Sequence, residues 1–226
     1  MFDFLLPQKC IHCYSISKSS LCDSCQSELT QPTRIARYID GVPIYSSLVY
    51  DGVIRSTIIG MKERGLRALA VYLTEILTRN LLDLHQNLKA EFIGVPIPSN
   101  KNSRRLRGFD HLSLILPKDS PKEFCEFDPR ALQVIRKVKD QQQLTLKDRQ
   151  KNLVNAYDFR PRLLPRSRKY VLIDDVITTG SSIRAGIAAV RAGGGEVLAA
   201  TTLAHSISAN SWEPALGGLR YDTSIQ

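Results

Sequence analysis

The sequence of 226 residues contains no run of about 18 apolar residues that would span a bilayer. The apolar stretch from Phe2 to Leu6 is too short for the core of a signal peptide. Together these absences predict a cytoplasmic protein without membrane insertion. There is no internal repeat and no low-complexity tract, so the organisation is read from periodicity and punctuation. There is also no GxxxxGK[ST] loop and no glycine-rich dinucleotide fingerprint after a strand, which sets aside the two commonest nucleotide folds. Cysteine is scarce outside one short segment: of five in the chain, only Cys125 lies beyond residue 25.

The other four, Cys10, Cys13, Cys22 and Cys25, fall within sixteen residues as CxxC, eight residues, CxxC. In a reducing cytosol, paired CxxC reads as metal before disulfide. Each pair forms a tight knuckle, and the spacer brings the knuckles together so that four thiolates face one tetrahedral ion. The expected metal is a structural zinc, because four thiolates leave no coordination position open for chemistry. His12, inside the first knuckle, is not needed as a ligand. Residues 1–35 are therefore predicted to be a small zinc module. The rest of the chain, 43% hydrophobic overall, is long enough for one substantial core over residues 36–205. Residues 206–226 lack periodicity and are predicted to be an irregular tail.

Within the main domain, Val42–Tyr50 has strand composition. Apolar residues then recur at helical spacing from Val53 to Leu82, with Gly65 predicted to split the stretch into two helices. Phe92–Ile97 reads as a buried strand closed by Pro96 and Pro98. Leu112–Leu116 and Leu132–Ile135 read as short elements. Tyr170–Val176 is predicted as a strand, Ser181–Ala192 as a helix stopped at Gly193–Gly195, and Val197–Leu203 as a second strand. Strand, helix and strand in so few residues imply a parallel pair, hence an α/β sheet.

The junction of that unit carries the chemistry. Asp174 and Asp175 close an apolar strand at its carboxyl end, where ligands bind in open α/β sheets. Thr178, Thr179, Gly180, Ser181 and Ser182 follow, offering hydroxyls, a glycine that permits close backbone approach, and a helix amino terminus that favours an anion. Two carboxylates would repel a phosphate unless they bind ribose hydroxyls or magnesium. A sugar phosphate satisfies both halves. The charge distribution is consistent with this: residues 99–169 hold 18 Lys or Arg against 8 Asp or Glu, and the rest of the chain 13 against 14. A field focused on phosphate-bearing partners and a set of solvated loops both fit that segment.

The stretch Val171 to Ser182 resembles the signature of type I phosphoribosyltransferases and their relatives that bind 5-phosphoribosyl-1-pyrophosphate (PRPP). Several pieces occur in order: the CxxC pair, Tyr50-Asp51-Gly52-Val53-Ile54-Arg55 through Met61-Lys62, Val95-Pro96-Ile97-Pro98, Arg107-Gly108-Phe109-Asp110, Leu144 to Arg149 with Asn152, and the Asp-Asp loop. In that order they resemble the ComF/GntX family of competence-associated proteins over roughly residues 5–204. The resemblance implies a type I phosphoribosyltransferase-like parallel sheet carrying the zinc module. It implies that Asp174 and Asp175 hold the ribose hydroxyls and Thr178 to Ser182 the 5′-phosphate. Arg107, with Arg104 and Arg105, would neutralise the pyrophosphate, and magnesium would accompany PRPP. Where the family reads Arg-Gly-Phe-Asn-Gln, this chain has Asp110 and His111. The function implied is that of a PRPP-binding competence protein handling single-stranded DNA along the basic 99–169 segment, with other competence proteins as partners. An active nucleobase phosphoribosyltransferase is the alternative.

Overall fold

The computed structural model describes residues 8–30, 35–99, 105, 108–118, 125–135, 156–163 and 169–206. The elements in chain order are α1 (Asp23–Glu28), β1 (Ile35–Ile39), β2 (Val42–Val49), α2 (Gly52–Glu63), a 3-10 turn (Arg67–Leu69), α3 (Ala70–Leu88) and β3 (Ile93–Pro96). They continue with α4 (His111–Ile115), β4 (Glu126–Phe127), β5 (Leu132–Val134), β6 (Tyr157–Phe159), β7 (Lys169–Ile177), α5 (Ser181–Ala192) and β8 (Glu196–His205).

Six strands form one sheet in the order β1-β2-β8-β7-β3-β4. Every pairing from β2 to β4 is parallel, whereas β1 joins β2 antiparallel at one edge. The sheet is thus mixed and mostly parallel: the expected parallel α/β sheet is present, with an antiparallel edge strand added to it. The edge strand β1 escaped the sequence reading because Ile35–Ile39 carries Arg37 and Tyr38 among its five residues and shows no clean alternation. The strand β7 lies at the centre. Its residues Tyr170, Val171, Leu172 and Ile173 are all 1% exposed or less, as a strand covered on both faces requires.

Helix layers cover the two faces. Adding a Cβ to Gly186 of α5 would press on Leu172 of β7, Ile97 and Leu132, so α5 packs on the face that carries Leu172, with the short β5–β6 pair beside it. On the opposite face, α3 buries Leu73, Ile76, Leu77, Leu81 and Leu84. The predicted break between the first two main-domain helices is real: Gly65 adopts φ +69°, a left-handed conformation that only glycine takes cheaply.

Candidate ligand site and metal centre

Strand order locates the ligand site before any side chain is considered. From β3 the chain moves outward to β4, while from the neighbouring β7 it moves the other way to β8. The connections after two adjacent parallel strands therefore diverge at their carboxyl ends, the switch point at which open α/β sheets bind ligands in a crevice. The residues leaving that edge are Pro96 to Ser99 from β3 and Asp174 to Gly180 from β7.

Asp174 and Asp175 sit side by side in sequence yet on opposite faces, because successive residues of a strand alternate. Asp175 points to the α2 and α4 layer. Its Oδ2 accepts from Lys62 Nζ at 2.6 Å and lies 3.1 Å from His111 Nε2, and its Oδ1 accepts from the Val176 amide at 2.8 Å. Burial alone would raise its pKa, but the charges of Lys62 and His111 outweigh that and hold the carboxyl well below the usual range. Asp174 faces the α5 side, against Tyr157 of β6. Burial and then the charge of Asp175 push the Asp174 carboxyl well above its ordinary value, and Lys62 offsets only part of this. Tyr157 is raised as well, by burial first and by Asp174 second, while a hydrogen bond with Ser182 opposes the shift.

The loop that follows is largely closed on itself. Thr179 and Ser181 hydroxyls lie 2.8 Å apart, the Ser181 amide donates to Thr179 Oγ1 at 3.4 Å, and Thr178 is exposed. Gly180 precedes α5 at φ +71°. A Cβ there would collide with Ile39 of β1, so glycine is demanded by backbone conformation and by packing. The first-turn amides of α5 face the crevice edge without intrahelical partners, as at any helix start. With the Thr179 and Ser181 hydroxyls mutually bonded, an anion placed at this edge would meet those amides and the helix dipole.

The four cysteines converge. The Sγ atoms of Cys10, Cys13, Cys22 and Cys25 all lie within 4.8 Å of one another, and those of Cys13 and Cys22 are 3.5 Å apart. A tetrahedral zinc with bonds of about 2.3 Å separates its sulfurs by about 3.8 Å, so the donor set fits. Without an ion the thiols are strongly unequal. Burial raises Cys10, but backbone amides of Cys22, Cys13 and His12 outweigh it and bring the thiol to about 6. Cys25 is pushed up by burial and by the neighbouring thiols. A dication removes that conflict by deprotonating all four. The module docks on α2: His12 Nδ1 lies 3.0 Å from Ser56 Oγ, and Glu28 accepts from the Val53 amide at the start of that helix at 3.4 Å.

Several predicted positions fall outside the described ones: Arg107, with Arg104, and Leu144 to Arg149 with Asn152. Arg105 is exposed. Tyr157 and Phe159 are core residues, and Phe109 lies under the Arg67 guanidinium at 4.8 Å. The sequence reading gave Lys62 only as the end of a motif and joined neither Lys62 nor Tyr157 to the acidic pair. No local pattern signals that meeting for either, since each reaches the acidic pair only through the sheet order. Among the described residues no helix is long and apolar enough to cross a membrane. No protein-family model matches the chain, and no curated protein matches it.

Proposed function

We propose that the protein binds a phosphorylated ribose of the PRPP type at the β3/β7 crevice and that it has a phosphoribosyltransferase-like fold with a structural zinc. The observation that carries the reading is the coincidence, at one topological switch point, of the α5 amino terminus with the carboxyl group of Asp174. The phosphate would take the first-turn amides of α5 and the exposed Thr178 hydroxyl; Asp174 would accept from ribose hydroxyls. Asp175 contributes indirectly, since Lys62 and His111 already occupy it. Magnesium would supply charge neutralisation for a pyrophosphate group, with Asp174 as the nearest carboxylate of the loop.

Calorimetry with PRPP and magnesium tests this. Wild type should bind at micromolar to millimolar concentration. Thr178→Asp places a carboxylate where the phosphate would sit, which the dipole of α5 tolerates, so it should abolish binding without lowering the melting temperature. Absence of heat and of any thermal shift at millimolar ligand would refute the ligand reading. The zinc is tested separately by elemental analysis of protein purified without chelator. About one zinc per chain is expected, and a double substitution Cys22→Ser with Cys25→Ser should remove it.

A further inference from the structure

The crevice holds a second constellation that phosphate binding leaves unexplained. Ser99, three residues past the end of β3, places its Oγ 2.9 Å from Nδ1 of His111. The other ring nitrogen, Nε2, lies 3.1 Å from Asp175 Oδ2. His111 is 5% exposed and Asp175 likewise, so the contact is not a passing surface pair. Asp175 is fixed on both oxygens, by Lys62 on Oδ2 and by the Val176 amide on Oδ1. In the neutral tautomer with its proton on Nε2, the edge that faces the acceptor-only carboxylate, Nδ1 carries the lone pair. That lone pair is directed at the Ser99 hydroxyl.

We propose that Ser99 is a nucleophile activated by His111 as general base, with Asp175 orienting the imidazole and Lys62 orienting Asp175. Hydroxyl, base and orienting acid at these distances are the arrangement that makes a serine reactive, and such sets are recognised by geometry and not by position in sequence. The activity that follows is acyl transfer from a carboxylic ester. Ser99 Oγ attacks the ester carbonyl carbon while its proton passes to His111 Nδ1. The acyl–oxygen bond then breaks, and the departing alkoxide takes that proton from the imidazolium. Water, deprotonated by His111, attacks the acyl-serine and releases the acid with Ser99 restored. Ser99 and the α5 amino terminus leave the same edge of neighbouring strands, which favours esters whose alcohol carries a phosphate. Only this choice of ester rests on the ligand reading above.

The test is labelling of the full-length protein with a fluorophosphonate probe. Ser99 would attack phosphorus and displace fluoride, with its proton again going to His111. One adduct per chain, located on Ser99 by peptide mass spectrometry, is expected. Ser99→Ala should abolish it, and His111→Ala should slow labelling about a hundredfold or more. Added imidazole should restore part of the rate in His111→Ala, a response that a merely structural histidine would not give. Melting temperatures of both variants establish that they fold. No adduct on folded wild type after hours at millimolar probe, or an adduct elsewhere, overturns the proposal. Slowing of wild-type labelling by inorganic pyrophosphate supports the phosphate-bearing ester. Labelling that pyrophosphate leaves unchanged overturns that restriction and keeps the nucleophile.

Discussion

Asp174 and Asp175 share one strand end, and the difference between them is what lies over each face of the sheet there. Over Asp175 the α2 and α4 layer supplies a cation and an imidazole, and the strand itself adds the Val176 amide. Over Asp174 the α5 and β6 side supplies a tyrosine and the start of a helix, and among the described residues only Lys62, from the other face, offsets its charge. The same chemical group is therefore stabilised as an anion on one face and disfavoured as an anion on the other. Adjacent carboxylates separated in this way can divide two tasks: Asp175 holds the edge together, and Asp174 is the one we propose for the ligand.

Removing the paired acid should produce the largest effect. Asp175→Asn leaves Lys62 and His111 facing a neutral amide in place of their shared carboxylate. Breaking a fully buried pair costs about 3–5 kcal/mol. Here the Lys62 side chain is 28% exposed and recovers some hydration, so a loss of about 2–3 kcal/mol is expected. For a chain of this size that lowers the melting temperature by about 5–10 °C, measurable by calorimetry. A loss below about 1 kcal/mol would mean that the two faces do not differ as described.

How much of this contrast was legible in the sequence follows from its physical origin. Helical periodicity and a closing glycine placed Ser181–Ala192 at its observed bounds, since both are local signals. The CxxC spacing likewise brought the four thiolates to one point, because each knuckle is built within a few residues. The opposite fates of the two acids were not legible. Lys62 lies 113 residues from Asp175 and His111 lies 64 before it, so their meeting depends on β3 and β7 becoming neighbours. The departure at Asp110 and His111 from the pattern the chain resembles marked both positions but assigned neither of them a contact. Gly180 was legible as a necessary glycine, but the reason was Ile39, contributed by an edge strand that the alternation did not reveal.

A smaller effect is expected at that glycine, and it separates structure from ligand on the Asp174 face. Gly180→Ala must hold alanine at φ +71° and turn Ile39 aside, costing about 1–2 kcal/mol. Ile39→Ala in the same chain removes the collision but not the backbone strain, so part of the loss caused by Gly180→Ala should disappear in that background. Denaturant unfolding of the four chains gives the coupling directly. If the losses simply add, Ile39 is not what the glycine makes room for.

The smallest effect has the opposite sign and depends on pH. Asp174 has a raised pKa in the folded protein, so well below pH 4 it is protonated in both folded and unfolded chains and contributes nothing to the balance. As pH rises through the unfolded value near 4, the unfolded chain ionises while the folded one resists, and wild type loses stability until the folded pKa is passed. Asp174→Asn removes that penalty. Its advantage over wild type should be near zero at about pH 4, grow toward neutrality, and then level off, reaching about 1 kcal/mol or a few degrees in melting temperature. Asp175, whose folded pKa is depressed, behaves in reverse: its contribution is complete above the unfolded value and fades only as pH falls below about 4. Thermal scans of wild type and Asp174→Asn at pH 4, 5.5 and 7 measure the difference. The same substitution should abolish PRPP binding, so a variant that is more stable and no longer binds would identify Asp174 as the acid kept for the ligand. Equal stability of the two chains at all three values would place Asp174 in ordinary contact with water and end the contrast between the faces.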